Sequence, residues 1–203
     1  QNLIDDTQNS TGKTSNIKQD FVKLLSLSYK QTVSTEDVFC YVYAVLYSNI
    51  YRKKYEEFLK IDFPKVPFTA NYNLFKESSE LGRQLADLHL FKNPILNRSS
   101  TKFEGSNGEF VKKWRYDLKN KRIYINEKQC FSNIDAKIWN YFIGGYQVLD
   151  KWLKERKDKS LSSEEINHFI KVIEALRHTL EIQEKIDKIY PKIEKSIIQQ
   201  KHD

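Results

Sequence analysis

The chain has 203 residues, of which 39% are apolar and 13% aromatic, with a net charge of +7. That length and apolar share are enough for one substantial domain with a core. Few glycines and prolines exclude collagen-like and low-complexity classes, and no apolar run approaches the roughly 18 residues of a membrane span.

Gln1 to Ser15 is polar and reads as a disordered or linker lead-in. The chain starts at Gln1 and contains no methionine, so it reads as a piece of a longer polypeptide. Ile17, Phe21, Leu24 and Leu25 recur at helical spacing and predict a first helix over 16–29. Ser34-Thr-Glu-Asp37 fits a capping box, in which hydroxyl and carboxylate satisfy free amides reciprocally. A long helix is expected to follow to about Leu59, its stripe formed by Val38, Tyr41, Val45, Ile50 and Phe58. Pro64 and Pro67 end it, because each fixes φ and removes a donor. Leu74 to Leu90 reads as another helix, with Gly82 in its middle as a point of close helix packing.

The period then changes. Glu109 to Asp117 and Lys121 to Glu127 alternate in twos, with turn residues between, so a β-hairpin is predicted. Phe110, Lys112, Trp114 and Tyr116 share one face of it; Val111, Lys113 and Arg115 share the other. Cys130 to Asn133 adds a short strand. Asp135 to Phe142 fits a helical turn or a strand, and Gly144-Gly145 breaks it. Tyr146 to Arg156 reads as a short helix. Ser162-Ser-Glu-Glu165 caps a last helical stretch, which Pro191 kinks or restarts, so that the tail forms a hairpin or packs back on the body. The fold class is α+β: a helical part over 16–91, a β-containing part over 92–160, and C-terminal helices over 161–203.

Catalytic signatures are missing. Gly12 beside Lys13-Thr14 lacks the upstream glycine and strand of a phosphate loop, and no Gly-x-Gly fingerprint for a nucleotide or methyl donor occurs. No two prolines are adjacent, so the Asn/Asp-Pro-Pro-aromatic element that holds a flipped base is absent. Glu155-Arg-Lys157 matches the end of a nuclease motif only formally, within a basic helical stretch. His168 and His178 are too far apart to share a metal, and His89 near a helix end reads as a cap or a buried, hydrogen-bonded residue. Cys40 and Cys130 read as buried free thiols in a reducing cytosol, and their spacing makes no zinc motif.

Charge is the positive signal. Between Gly108 and Ser160 thirteen Lys and Arg stand against seven Asp and Glu, most of the excess of the whole chain. Such residues neutralise phosphates, and Arg, Lys, Asn and Gln read base edges. The candidate double-stranded DNA contacts are Lys112, Lys113, Arg115, Lys119, Asn120, Lys121 and Arg122 around one hairpin tip, with Tyr146, Gln147, Lys151 and Lys154 beside Gly144-Gly145. Trp114, Tyr116, Tyr124 and Trp152 fit core packing. The alternative is a helical protein-interaction module built on the tyrosine-rich helix and the isoleucine-rich tail.

Several blocks are word-like: Glu36 to Tyr55, Asp62 to Phe68, Gly82-Arg-Gln-Leu-Ala-Asp-Leu-His-Leu90, Trp114-Arg-Tyr116 and Gly144 to Lys157. In order and content they resemble the C-terminal specificity domain of Type ISP restriction-modification enzymes and related adenine-specific DNA methyltransferases. The resemblance covers Asn16 to Tyr190 and departs from the family pattern at Cys40 and Asn49. It implies a target recognition domain, itself without catalytic residues, docked by its helical part on an upstream methyltransferase domain of the same chain. It implies S-adenosylmethionine in that upstream domain, and ATP and magnesium where a nuclease and translocase are also present. It carries over no contact residue. The expected setting is the cytoplasm.

Overall fold

The structure is a computed structural model that describes residues 15–106 and 110–198. The expected lead-in lies, but for Ser15, outside the described residues. The chain forms two compact units. One runs to Arg83 and takes in the chain from Ile186 onward; the other is Gln84–Lys185.

The first unit is helical. The predicted first helix is α1, Gln19–Tyr29. The second, α2, spans Thr35–Tyr47 and starts at the expected capping box: Ser34 Oγ accepts from the Asp37 amide, and Asp37 accepts from the Ser34 amide. The single long helix to Leu59 is not found. It breaks at Ser48 and continues as α3, Asn49–Lys54, and α4, Glu56–Leu59. The cause is long-range. Ser48 leaves the helical region (φ −63°, ψ 125°), its hydroxyl caps α3 through the Tyr51 amide and donates to Asp187 Oδ1 at 2.8 Å. Asn49 Nδ2 and the Ile50 amide also donate to Asp187.

The proline segment after α4 has carbonyls to satisfy without a regular partner strand. Buried tyrosines serve it: Tyr41 Oη donates to Pro67 O at 2.7 Å, Tyr29 Oη to Thr69 O at 2.6 Å, and Tyr51 Oη to Lys65 O at 3.2 Å. Their rings pack with Val22, Leu25, Val45, Phe75, Tyr190 and Ile193 in the core of this unit. Burial pushes the Tyr29 hydroxyl up to about 12, so it remains a donor. Helix α5 spans Tyr72–His89. Gly82 lies against α2 as expected, since a Cβ there would meet the Cys40 carbonyl oxygen at 1.8 Å.

In the second unit a 3-10 turn, Pro94–Asn97, leads into β1, Lys102–Glu104. The predicted hairpin is β2, Arg115–Asp117, and β3, Arg122–Tyr124; the predicted short strand is β4, Cys130–Ser132. Together they make an antiparallel sheet in the order β1-β4-β3-β2. Asp135 to Phe142 contains both alternatives: α6 is Ala136–Trp139, and β5, Phe142–Ile143, follows. Strand β5 pairs with β6, Tyr146–Gln147, across Gly144-Gly145. Both glycines have positive φ, 54° and 86°, the pattern of a type I′ turn. Tyr146 and Gln147 are therefore strand residues rather than the start of a helix, and α7 is Val148–Lys154.

Ser162 and Glu165 form the second capping box, and α8 runs over Ser163–Glu194. The expected break at Pro191 is absent, and the helix passes through it. Tyr190 and Ile193 on either side are buried and hold that last turn. The core of the second unit joins the inner face of the sheet (Ile123, Phe131) to Leu149, Trp152, Phe169 and Ile173. Trp152 stacks on Phe169 at 4.2 Å, the packing role expected for it. Both cysteines are buried, and neither is in a disulfide.

Candidate nucleic-acid interface

Antiparallel pairing puts Cα partners on the same face. The register places Phe103, Phe131, Ile123 and Tyr116 in one row facing the core. The opposite row carries Glu104, Cys130, Tyr124 and Arg115, flanked by Lys102 with Ser132 and by Arg122 with Asp117. No helix core is built on this second face, which is polar and charged, as an antiparallel sheet permits. Trp114 and Tyr116 point the other way: Trp114 Nε1 donates to Asp150 Oδ1 at 2.7 Å, and Tyr116 stacks on Trp139 and donates to Ile134 O.

The eleven candidate residues fall into three groups, because the seven expected around one hairpin tip divide into two while the other four stay near Gly144-Gly145. Lys112 and Lys113 are exposed but precede β2. They sit where the Val111 amide bonds Lys159 O and the Lys112 amide bonds Ile125 O. Four residues, Trp114 to Asp117, separate Lys113 from the turn, roughly 13 Å at about 3.3 Å each. The expected face assignment also fails at this end. Val111 is fully buried and Phe110 half exposed, because a bend at Lys113 shifts the alternation.

The second group is the open face and its turn. The Arg115 guanidinium lies over the Tyr124 ring, 4.1 Å from its centroid, and its Nη1 is 4.0 Å from Asp117 Oδ2, so a cation–π contact holds it beside a long ion pair. Arg122 pairs with Glu104 Oε2 at 3.0 Å. At the turn Asp117 accepts from the Asn120 amide and side chain, which hold its carboxyl below the ordinary carboxylate range. Lys121, at φ 51°, reaches Asp135 Oδ1 at 2.6 Å. That hydrogen bond keeps the lysine charged and lowers the Asp135 carboxyl. Asn120, Lys121 and Arg122 thus have partners inside the unit. Among the described residues no carboxylate lies within ion-pair distance of Lys112, Lys113, Lys119 or Lys154.

The third group surrounds the short hairpin. Phe142, Ile143 and Tyr146 are exposed, and nothing lies within 4 Å of a Cβ placed on either glycine. Lys151 Nζ sits 4.2 Å from the Tyr146 ring centre. Gln147 turns inward, its Nε2 donating to Trp139 O at 2.5 Å. Lys102 is the residue of the open face that sequence reasoning passed over. Its strand is three residues long, and only the pairing with β4 reveals it.

Among the described residues no group of three or more His, Cys, Asp or Glu is placed to hold a metal ion. His89 is partly buried, with Nε2 3.0 Å from Thr179 Oγ1, and burial lowers its pKa. An apolar groove of about 360 Å³ in the first unit is lined by Tyr51, Tyr55, Phe58, Lys65, Val66 and Pro67, without an acid–base pair. No described helix is long and apolar enough to cross a membrane.

Solved structures of much longer restriction-modification proteins contain a region similar to this chain. A nuclease-deletion mutant of the Type ISP restriction-modification enzyme LlaGI, solved with a DNA substrate mimic, is 28% identical over 76% of this chain, with a TM-score of 0.57. The ATP-dependent Type ISP enzyme LlaBIII bound to DNA shares the fold at 24% identity over 88% of the chain, TM-score 0.63. The DrdV–DNA complex shares it at 23% identity over 84%, TM-score 0.66. The chain spans 14%, 13% and 20% of the lengths of these proteins. No curated protein sequence matches it. The family model for the Type ISP C-terminal specificity domain matches residues 2–185, and the chain belongs to that family.

Proposed function

We propose that this chain selects a DNA sequence for a larger restriction-modification enzyme and performs no chemistry itself. The observation that carries the reading is the open sheet face. It presents Arg115 on Tyr124, flanked by Lys112, Lys113 and Lys119, which have no carboxylate in ion-pair range among the described residues, and its outer row stands apart from the hydrophobic core cluster. Cations of this kind clamp phosphates, while a side chain fixed on a strand reads base edges with a defined reach. Membership of the specificity family and the DNA named in the structures of its relatives point the same way.

The parent enzyme is then an adenine-specific DNA methyltransferase, with S-adenosylmethionine and a flipped adenine held in an upstream domain of the same polypeptide. ATP and magnesium belong to the parent if it also has translocase and nuclease domains. The cytoplasm is the matching compartment. The tyrosine-rich α2 offers a docking face for the upstream domain, since Phe39 stacks on Tyr43 and the tilted Tyr43 and Tyr47 rings lie 4.9 Å apart along it. The interaction-module alternative uses that same face.

The test is selection from a randomised duplex library by the full-length polypeptide, followed by sequencing. Enrichment of one asymmetric site is expected. Replacing Lys112, Lys113 and Arg115 together with alanine should lower the slope of log affinity against log salt by about 2.7, at about 0.9 per phosphate contact. An unchanged slope with retained binding would show that these side chains do not touch DNA. Absence of any enriched site in the wild type would refute the reading.

A further inference from the structure

Glu174, on α8, is a buried carboxylate, 1% exposed. Its Oε1 accepts from Ser99 Oγ at 3.0 Å, the Ser100 amide at 3.1 Å, Ser100 Oγ at 3.2 Å and the Thr101 amide at 3.1 Å. Its Oε2 accepts from Arg177 Nε at 3.0 Å. Burial alone would raise this carboxyl, but the Thr101 amide, Arg177 and the hydroxyls hold it low. All its donors except Arg177 lie on the three residues just before β1.

Arg177 extends the arrangement. Its Nη2 donates to Asn133 O at 2.6 Å and to Thr101 Oγ1 at 3.3 Å, and its Nη1 lies 3.8 Å from Asp135 Oδ2. Asp135 in turn holds Lys121. Asn133 Nδ2 donates to Ser100 O at 3.4 Å. One network therefore ties together the loop before β1, the exit from β4 and the β2–β3 turn. Sheet topology puts these at one end, since β1 and β3 are both antiparallel to β4 and enter from the same side.

The inward side of this loop is fully engaged, and Leu96 and Thr101 anchor it as buried residues. What remains outward is Arg98, exposed and with no carboxylate in ion-pair range among the described residues. Exposed Lys119 and Lys102 stand at the same end. Packing alone does not require four donors gathered on one buried carboxylate beneath a loop whose outer side chain is a free arginine. A loop held so rigidly loses little freedom on binding, and Arg offers a planar fork to phosphates or to guanine edges.

We propose that residues 98–101 form a second DNA-contacting loop beside the β2–β3 turn, with Arg98 as the contact and Glu174 as its positioning residue. This rests on the DNA-recognition reading above. The experiment is library selection and salt titration with the full-length polypeptide, as wild type, Arg98→Ala, Arg98→Lys and Glu174→Gln. Arg98→Ala leaves the urea midpoint unchanged. It flattens base preference at one or two positions if Arg98 reads an edge, or lowers the salt slope by about 0.9 if it touches phosphate. Arg98→Lys restores the slope but not a base preference. Glu174→Gln blurs the same positions that Arg98→Ala does, an effect a purely structural carboxylate would not have. An Arg98→Ala protein with wild-type site, affinity and slope overturns the proposal while leaving DNA recognition intact. A wild type that enriches no site overturns both.

Discussion

Replacing Gly82 with alanine tests the packing of the first unit at a single atom. The added Cβ would lie 1.8 Å from the Cys40 carbonyl oxygen, 2.7 Å from its carbon and 3.2 Å from the Ala44 nitrogen. All three are main-chain atoms of α2, so no side chain can swing aside. A normal non-bonded separation is about 3.5 Å, so α5 and α2 must part by roughly 1.5 Å. That opens the contact between Tyr41 and Phe75, whose rings stack at 5.0 Å. Alanine gains about 1 kcal/mol in helix propensity. Overpacking costs about 1–3 kcal/mol in ordinary cases and more where backbone must move. The expected net loss is about 2 kcal/mol, a fall in melting temperature of about 4–8 °C for a chain of this size. Helical circular dichroism in a urea series measures it; the three tryptophans are at 114, 139 and 152 and report on the other unit. A Gly82→Ala protein as stable as wild type would refute the close approach.

Glu174→Gln should lower stability at pH 7, because the amide oxygen can still accept from the loop donors but the new NH2 then faces the Arg177 guanidinium, which loses its charged partner; removing one member of a buried pair costs about 3 kcal/mol. The folded Glu174 carboxyl is depressed, so its contribution is present above the unfolded value near 4.3 and is lost as pH falls through the folded one. A denaturation series between about pH 3 and 7 should therefore show a shallower acid limb in the variant. His89 has the opposite charge and the same acid sensitivity. Burial lowers its pKa, so stability is full above about 6.5 and falls below that, where the unfolded chain takes up the proton first; a titration of its ring signals by NMR should give a midpoint below 6.5. At the β5–β6 turn Gly144→Asn should be within about 0.5 kcal/mol of wild type, since Asn-Gly suits a type I′ turn. Gly145→Val should cost about 1–3 kcal/mol by urea unfolding, because φ there is 86°.

What was legible in the sequence was local chemistry. The Ser34–Asp37 and Ser162–Glu165 boxes, the helix read over 74–90 and found over 72–89, the hairpin read over 109–127 and found over 115–124, and the close packing at Gly82 each follow from a few neighbouring residues. What was not legible depends on partners far along the chain. The break at Ser48 is set by Asp187, 139 positions away. Strand β1 exists because Lys102 to Glu104 finds β4 some 28 residues later. The helix does not restart at Pro191, because tertiary burial of Tyr190 and Ile193 outweighs a local breaker. Among the candidate contacts, residue type identified the cations but not which were already engaged. The commitment of Lys121 to Asp135, Arg122 to Glu104 and Gln147 to Trp139 O appears only once the chain is folded.

The two-residue alternation along β2 and β3 separates two kinds of selection. Tyr116 and Ile123 answer to the core, whereas Arg115, Arg122 and Tyr124 answer to whatever lies outside. On the DNA-contact reading proposed above, a substitution in the outer row would alter the reading surface without altering a side chain of the core row. New specificities would then be reachable one substitution at a time.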